Sequence, residues 1–236
     1  MILVPGPTRA AEAQIAVAAN FSEPAKEIAA LFEKATGHKA VLAFGASGAF
    51  YTQISHGAPF AVLLSADAER PAKAEREGLA IAGSRFTYAI GRLVLYSTTP
   101  GLVDGRGAVL RKLGDEKLAL ADPATAPYGV AAIEAMRKLG VYERLGPRIV
   151  TGSSIAQAYQ FVATGAAPLG FVSLSQVIAV PGGSRWIVPA RLHRPIEQQA
   201  VLLKAGENNP AAAAFLKFLK DRAALAVIKR YGYAVK

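Results

Sequence analysis

Short apolar runs that alternate with helical periodicity are the feature that most constrains the fold of this chain. The first run, residues 15–19, is followed by apolar side chains at Ile28, Leu31, Phe32 and Ala35, which is the spacing of one helix face. The same order of run, turn and helical segment recurs at residues 41–44, 60–64, 117–121 and 148–150. Such alternation predicts an α/β fold, with a parallel sheet and helices on both of its faces.

The runs form two α/β series, and one late strand with its helices is left over at the end of the chain. This predicts two lobes between which the chain crosses twice. One lobe would comprise residues 14–92 plus 201–236, and the other residues 93–200. In open α/β sheets, ligands bind beyond the carboxyl ends of the strands. We therefore expect a binding site in the cleft between the lobes.

The N-terminal segment has two interpretations. Ala11-Glu12-Ala13 has the form of a signal-peptidase site, but the apolar stretch before it is too short for a complete signal peptide. Residues 1–13 are either the remnant of a truncated secretory signal or a disordered tail. In both cases we expect them to stay outside the fold.

Composition excludes several classes of protein. The chain has 236 residues, of which 52% are hydrophobic and 19% charged, and this is typical of a packed globular protein. No apolar run approaches the roughly 18 residues that a membrane span requires. Cysteine is absent, so the chain has no disulfide, no thiol nucleophile and no thiolate metal site.

The excess of positive charge does not indicate a nucleic-acid-binding protein. Lysine and arginine number 27 against 17 acidic residues, a net charge of +10. Nucleic-acid binding would require basic residues concentrated on one face. Here they are scattered singly, as at Lys26, Lys34, Lys73 and Arg148, and the denser C-terminal stretch is interpreted as a solvated helix face. A diffuse positive field can raise the rate of encounter with a small anion.

Four neutral residues lie at strand-to-helix junctions: Asn20, Ser47, Tyr128 and Ile155. A helix N-terminus offers unpaired N–H groups and a partial positive charge, so converging junctions can bind an anion without any charged side chain. This pattern predicts a protein that captures a small oxyanion.

Each of the four residues also has a simpler interpretation. Ser47 could be an N-cap without a ligand, and Asn20 could cap the next helix or direct its side-chain amide at an anion. Tyr128 could pack its loop against the core or bind through its amide and phenol. Ile155 is a core residue at a helix start, whose functional role would fall to its backbone N–H.

Positive evidence for catalysis is missing from the sequence. The segment Gly45-Ala-Ser-Gly-Ala49 resembles a nucleophile elbow, but Ala49 replaces the closing glycine. A serine hydrolase also needs a histidine base, and His38 and His56 lie beside glycines in helix-ending turns, where solvated roles are expected. No Walker, dinucleotide-binding, EF-hand or zinc-protease motif occurs. The sequence therefore indicates a binding protein, and not an enzyme.

Five segments, in order, resemble the periplasmic molybdate-binding proteins of ABC importers. The shared segments are AANFSEPAKEIA from Ala18, GAPFAVLLSAD from Gly57, DPATAPYG from Asp122, APLGFV from Ala167 and KRYGY from Lys229. The resemblance implies the two-lobed class II solute-binding fold, with mixed sheets flanked by helices and hinged by crossing strands. It also implies a periplasmic monomer that binds molybdate or tungstate and delivers it to an ABC permease. No cofactor is implied, and the metal is bound as its oxyanion with no direct coordination by the protein.

The ligand positions of that family transfer onto Asn20, Ser47, Tyr128 and Ile155, the last through its backbone N–H. Two secondary positions correspond to Ala19 and Ser173. Ala19 stands where one branch of the family can have a hydroxyl donor, so one hydrogen bond is missing here. Ala61 replaces an acidic residue that is usual in its segment, with no evident consequence.

Three alternatives remain open at this point. A pocket of donors alone disfavours a protonated oxyanion such as hydrogen phosphate, because its O–H would lack an acceptor at a cost of roughly 1–3 kcal/mol. Sulfate has the right charge, so a sulfate receptor is one alternative. A ligand-sensing regulatory module of the same fold is the second, and a transferase or hydrolase on a two-lobed scaffold is the third.

Overall fold

The computed structural model describes residues 10–235 of the chain. Its strands form two five-stranded sheets. In chain order the strands are β1 (Glu12–Ala18), β2 (Lys39–Gly45), β3 (Val62–Ser65), β4 (Phe86–Gly91), β5 (Leu93–Ser97), β6 (Leu118–Ala121), β7 (Ile149–Gly152), β8 (Leu169–Ser173), β9 (Ser184–Ile187) and β10 (Ile196–Leu202).

Helices connect and flank these strands. In chain order they are α1 (Ser22–Thr36), α2 (Ser47–Ser55), α3 (Glu69–Arg76), α4 (Val109–Lys112), α5 (Pro127–Lys138), α6 (Tyr142–Leu145), α7 (Ile155–Ala163), α8 (Leu174–Val177), α9 (Pro210–Phe218) and α10 (Arg222–Arg230). Short 3-10 turns also occur, and the first, Ala19–Phe21, directly follows β1.

Both sheets are mixed. The first has the strand order β2-β1-β3-β10-β4, in which β1 is parallel to its two neighbours and β10 is antiparallel to its two. The second has the order β7-β6-β8-β5-β9, in which β6 is parallel to its neighbours and β5 is antiparallel to its own. The predicted two-lobed α/β fold is confirmed, with one lobe built on each sheet. The parallel part of each sheet is the part that the alternation predicted.

The chain crosses between the lobes twice. Strand β4 ends at Gly91 in the first sheet, and β5 begins at Leu93 in the second. The return crossing lies between β9 and β10. Strand β10 pairs within the first sheet along its whole length, whereas the predicted division assigns residues 196–200 to the second lobe. The exact lobe boundaries stay a prediction.

The first strand begins earlier than the sequence suggested. Strand β1 starts at Glu12, and the side chain of Ala13 is buried and stands opposite Ala40 in the parallel ladder. The expectation that residues 1–13 stay outside the fold is therefore wrong for residues 12 and 13, which belong to the sheet. Residues 1–9 of the same segment lie outside the described residues.

Apolar packing fills both lobes and continues across their contact. The first lobe buries side chains such as Ile15, Phe32 and Phe215 around its sheet. The second lobe's core also takes in Ala18 and Ala66 of the first lobe. The two lobes are therefore in direct apolar contact beside the carboxyl ends of β1 and β3. Within residues 10–235, no helix combines the length and the hydropathy that crossing a bilayer requires.

Candidate functional site

The four residues singled out in the sequence all lie where a strand gives way to a helix or turn. Ser47 and Ile155 are the first residues of α2 and α7. Asn20 is in the 3-10 turn after β1. Tyr128 is the second residue of α5, which begins at Pro127 because proline suits the first helical position. N–H groups of a first turn have no carbonyl partner within their own helix.

Ser47 retains a hydroxyl proton that can be donated. Its side chain is buried, and its Oγ accepts a hydrogen bond from the backbone N–H of Ala66 at 2.9 Å. The N-cap position of α2 belongs to Ala46, so the interpretation of Ser47 as an N-cap is wrong. Because Ser47 Oγ accepts this hydrogen bond, its own O–H remains available as a donor.

The side chain of Asn20 is occupied within the protein. Its Nδ2 donates to Oε1 of Gln198 at 2.8 Å and to the Tyr233 hydroxyl at 2.9 Å. An amide nitrogen has two hydrogens, so neither remains for an anion. Both the helix-cap interpretation and the expectation that the side-chain amide faces an anion are wrong for Asn20. Any donation to a ligand from this residue would come from its backbone N–H.

The phenol of Tyr128 points into the same buried network. Its hydroxyl accepts a hydrogen bond from Nε2 of Gln198 at 3.3 Å, and the ring is almost completely buried. Burial, reinforced by the neighbouring Tyr233 and Tyr88 hydroxyls, raises the pKa of Tyr128 well above its usual value. The phenol is therefore neutral at physiological pH. Its hydroxyl also hydrogen-bonds the Tyr233 side chain, so the backbone N–H is the group left for a ligand.

Ile155 combines a core side chain with a helix-start amide. The side chain is buried, and Ser154 caps α7 by accepting from the Gln157 N–H. The carbonyl oxygen of Ile155 accepts from Nε2 of Gln176 at 3.1 Å. These contacts hold the first turn of α7, which contains the Ile155 amide, in place.

The two secondary positions offer little to a ligand. Ala19 is buried and has no donor in its side chain. Ser173 Oγ lies 2.8 Å from Ser175 Oγ and donates to Oε1 of Gln176 at 3.0 Å. The same Oε1 accepts from the Ser173 backbone N–H at 3.0 Å in the capping box that starts α8. The Ser173 hydroxyl therefore has a structural role in this conformation.

Contacts across the cleft bring the junctions together. The backbone N–H of Gly48, next to Ser47, donates to the carbonyl oxygen of Thr125 at 2.9 Å, three residues before Tyr128. Helix α7 contacts the 3-10 turn that contains Asn20. Tyr128 and Ile155 also share one apolar cluster with Ala18 and Ala66. The lobes are thus closed on each other, and the four junctions lie along this contact, which we call the interlobe seam.

The seam is short of positive charge. Among the described residues, no lysine or arginine side chain is buried. The basic group near Ser47 is Arg70, whose guanidinium forms an ion pair with Asp67 and donates to the carbonyl oxygen of Ala124 at 3.2 Å. Its charge is compensated by Asp67. Within residues 10–235, no group of histidine and acidic side chains is arranged to hold a metal ion.

Sequence reasoning missed several residues at the seam. Gln198, Tyr233 and Ser175 surround Asn20, although they are distant from it in the sequence. The KRYGY segment was noted only as part of a resemblance, and Gln198 only as the start of a strand. The Oγ1 of Thr125 is buried without a hydrogen-bond partner among the described residues, and no sequence signal marks it.

A separate open cavity of about 600 Å³ lies along the seam. It is lined by Asp67, Arg70, Glu134, Arg194 and apolar side chains such as Ile196, and by none of the four candidate residues. Its charged lining has both signs, unlike the neutral junctions. The cavity is therefore distinct from the candidate anion site.

Comparisons with known proteins agree on one family. A model of the bacterial extracellular solute-binding proteins matches residues 13–234. The molybdate-binding protein ModA of Rhodobacter capsulatus is 60% identical over 230 residues, covering 98% of this chain and 91% of that protein. ModA of Azotobacter vinelandii is 55% identical over 231 residues, covering 97% and 92%.

A solved structure gives the same result for the fold. The periplasmic molybdate-binding protein of Azotobacter vinelandii superposes with a TM-score of 0.92 at 42% sequence identity. The superposition covers 95% of this chain and 99% of that structure. The likeness extends over both lobes and the crossings between them.

Proposed function

This chain belongs to the family of bacterial extracellular solute-binding proteins, and from that membership we propose that it captures molybdate between its two lobes and delivers it to an ABC permease. Two relatives that are more than half identical over nearly the whole chain are named for binding molybdate. The proposal rests on one observation of the site itself. Four helix or turn starts from both lobes, Asn20, Ser47, Tyr128 and Ile155, meet along a closed seam.

The proposed donors are neutral. The backbone N–H groups of all four residues, together with the Ser47 hydroxyl, hydrogen-bond the oxygens of one tetrahedral dianion. Helix starts stabilise negative charge because first-turn N–H groups and the helix dipole point at the ligand. Helices α2, α5 and α7 are long enough to contribute in this way, with nine, twelve and nine residues.

A pocket lined by neutral hydrogen-bond donors selects the protonation state of the oxyanion that it binds. A protonated oxyanion brings an O–H that finds no acceptor, at a cost of roughly 1–3 kcal/mol. Molybdate and tungstate are both accepted by this criterion. Sulfate also meets the charge requirement, so its exclusion depends on the size of the closed pocket.

The location and the partners of the protein are proposed from its family. The protein acts outside the cytoplasm as a monomer. The scattered basic residues favour encounter with a small anion and no contact with nucleic acid. The relatives are named as binding proteins, and we propose no catalytic role for Ser47.

Titration calorimetry with molybdate, tungstate, sulfate and phosphate tests the proposal. We expect one molybdate per chain, bound more tightly than sulfate by at least about tenfold, which is 1.4 kcal/mol. Phosphate should bind most weakly near neutral pH. Sulfate binding as tight as molybdate binding would contradict the proposed selectivity, and no binding of any oxyanion would contradict the proposed function.

A further inference from the structure

Gln198 on β10 forms hydrogen bonds with both halves of the candidate site. It is completely buried, at 0% exposure. Its Oε1 accepts from Asn20 Nδ2 at 2.8 Å and from the Tyr88 hydroxyl at 3.0 Å. Its Nε2 donates to the Tyr128 hydroxyl at 3.3 Å. One side-chain amide thus bonds a residue of the first lobe's turn and a residue of the second lobe's helix.

The location of this amide at the crossing strands makes the contact possible. Strand β10 follows the return crossing and pairs with β4, the strand that leads into the outward crossing. A Cβ at Gly91, the last residue of β4, would lie 2.2 Å from the Tyr128 hydroxyl oxygen and 2.8 Å from Gln198 Nε2. Glycine at this position leaves room for the phenol to reach across the crossing.

A second set of bonds holds Asn20 from the other side. Its carbonyl oxygen accepts from Ser175 Oγ, in α8 of the second lobe, at 2.7 Å and from the Tyr233 hydroxyl at 2.7 Å. Asn20, which carries the proposed ligand-binding amide, is therefore held through both its side chain and its carbonyl group. All the groups of the network are neutral, so its order depends on matching each donor to an acceptor.

We propose that Gln198 is a positioning residue that holds the Asn20 turn and the start of α5 in their relative placement when the lobes close. For the effect on ligand affinity, this inference rests on the proposed function. The neutral amide supplies an acceptor toward Asn20 and a donor toward Tyr128 at once. A glutamate has the same shape, but it supplies the donor only when it is protonated.

The test uses this property of glutamate, with Gln199 as the matched control position. Gln199 is the adjacent residue of β10 and is nearly as buried, but it bonds Arg85 and Thr87 outside the network. Oxyanion affinity is measured for Gln198→Glu, Gln199→Glu and the unaltered chain as pH is raised. We expect the affinity of Gln198→Glu to fall relative to both references by roughly tenfold or more between about pH 6 and about pH 9, because ionisation removes the donor and places a negative charge near the anion.

A second measurement needs no ligand. The chain has no cysteine, so Lys34→Cys and Glu116→Cys, both at exposed positions on different lobes, can be spin-labelled specifically. In this background, Gln198→Met should shift the interlobe distance toward longer values, and Gln199→Met should leave it unchanged. Melting curves confirm that each variant is folded before it is compared.

Each result has a defined meaning. A parallel pH dependence for Gln198→Glu and the unaltered chain, or an unchanged interlobe distance in Gln198→Met, would overturn the role of Gln198. If the unaltered chain binds none of the oxyanions, the proposed function fails. The distance measurement then still decides whether Gln198 positions the lobes.

Discussion

The backbone N–H of Gly48 donates to the carbonyl oxygen of Thr125 across the interlobe seam at 2.9 Å. This contact joins the start of α2 in the first lobe to the loop before α5 in the second. Both flanking segments carry proposed ligand amides, at Ser47 and Tyr128. The geometry of closure and the geometry of the binding site are therefore set by the same short stretches of chain.

Gly48→Ala should impair closure. A Cβ at this position would lie 2.9 Å from the Cα and 3.0 Å from the carbonyl oxygen of Thr125, so the two lobes would have to separate. We expect weaker molybdate binding with little change in ligand-free stability, as measured by calorimetry and thermal melting. Gly114→Ala is the control, because a Cβ there has no atom within 4 Å. Equal affinity for the two variants would contradict a closed binding conformation of this kind.

Ser47→Ala should weaken ligand binding by about 1.5–3 kcal/mol, the usual contribution of a hydrogen bond to a charged group. The change removes the hydroxyl donor and leaves the backbone N–H of residue 47 in place. Ser55→Ala in the same helix is the control, since that hydroxyl is exposed and its partners are the Thr52 carbonyl and the His56 ring. Unchanged affinity in Ser47→Ala would remove this hydroxyl from the site.

Thr125→Val should maintain or raise the melting temperature of the ligand-free protein. The Thr125 hydroxyl oxygen is buried without a partner among the described residues, and replacing such a group with a methyl relieves a desolvation penalty of about 1–3 kcal/mol. Thr125→Ser, which keeps the hydroxyl, serves as the comparison. A clear loss of stability in the valine variant would show that the hydroxyl is hydrogen-bonded in solution.

Stability should decline in alkali because of the buried tyrosines. Burial raises the pKa of Tyr233 to about 12, opposed by hydrogen bonds to Ser175 and Asn20. Above about pH 10 the unfolded chain therefore loses this proton first, and the stabilising contribution present below pH 10 is lost as pH rises toward 12.

The expected size of this effect is about 1.4 kcal/mol for Tyr233 alone between about pH 8 and about pH 11. Denaturant unfolding of the unaltered chain and of Tyr233→Phe at the two pH values measures it. The phenylalanine variant should lose less stability over this interval, because one fewer tyrosine titrates. An equal loss in both proteins would contradict a raised pKa for Tyr233.

The sequence was sufficient for the features that depend on local pattern. Alternating apolar runs located most strands, and glycine after α1 marked the end of that helix, where Gly37 has a φ of 72°. Pro127 also marks the start of α5, because proline suits the first helical position. The predicted division placed Gly91 and Leu93 in different lobes, and the two residues lie in different sheets.

The remaining features depend on contacts between distant parts of the chain. Asn20 is 178 positions from Gln198 and 213 from Tyr233, and no periodicity encodes these contacts. For this reason the sequence suggested a free side-chain amide at Asn20 and a free phenol at Tyr128. In the folded chain both groups are consumed by the network, and only backbone N–H groups remain at these junctions. Helices α4, α6 and α8 were also missed, because a single turn is too short to show a helical periodicity. Strand β9 was missed because its sequence, Ser-Arg-Trp-Ile, is not an apolar run.

A crystal structure of the protein with bound molybdate tests the central claim most directly. We predict one oxyanion at the seam, with hydrogen bonds of about 2.7–2.9 Å from backbone N–H groups of both lobes and from the Ser47 hydroxyl, and with no lysine or arginine in contact with it. An oxyanion bound by a basic side chain such as Arg70, or located away from Asn20, Ser47, Tyr128 and Ile155, would contradict it.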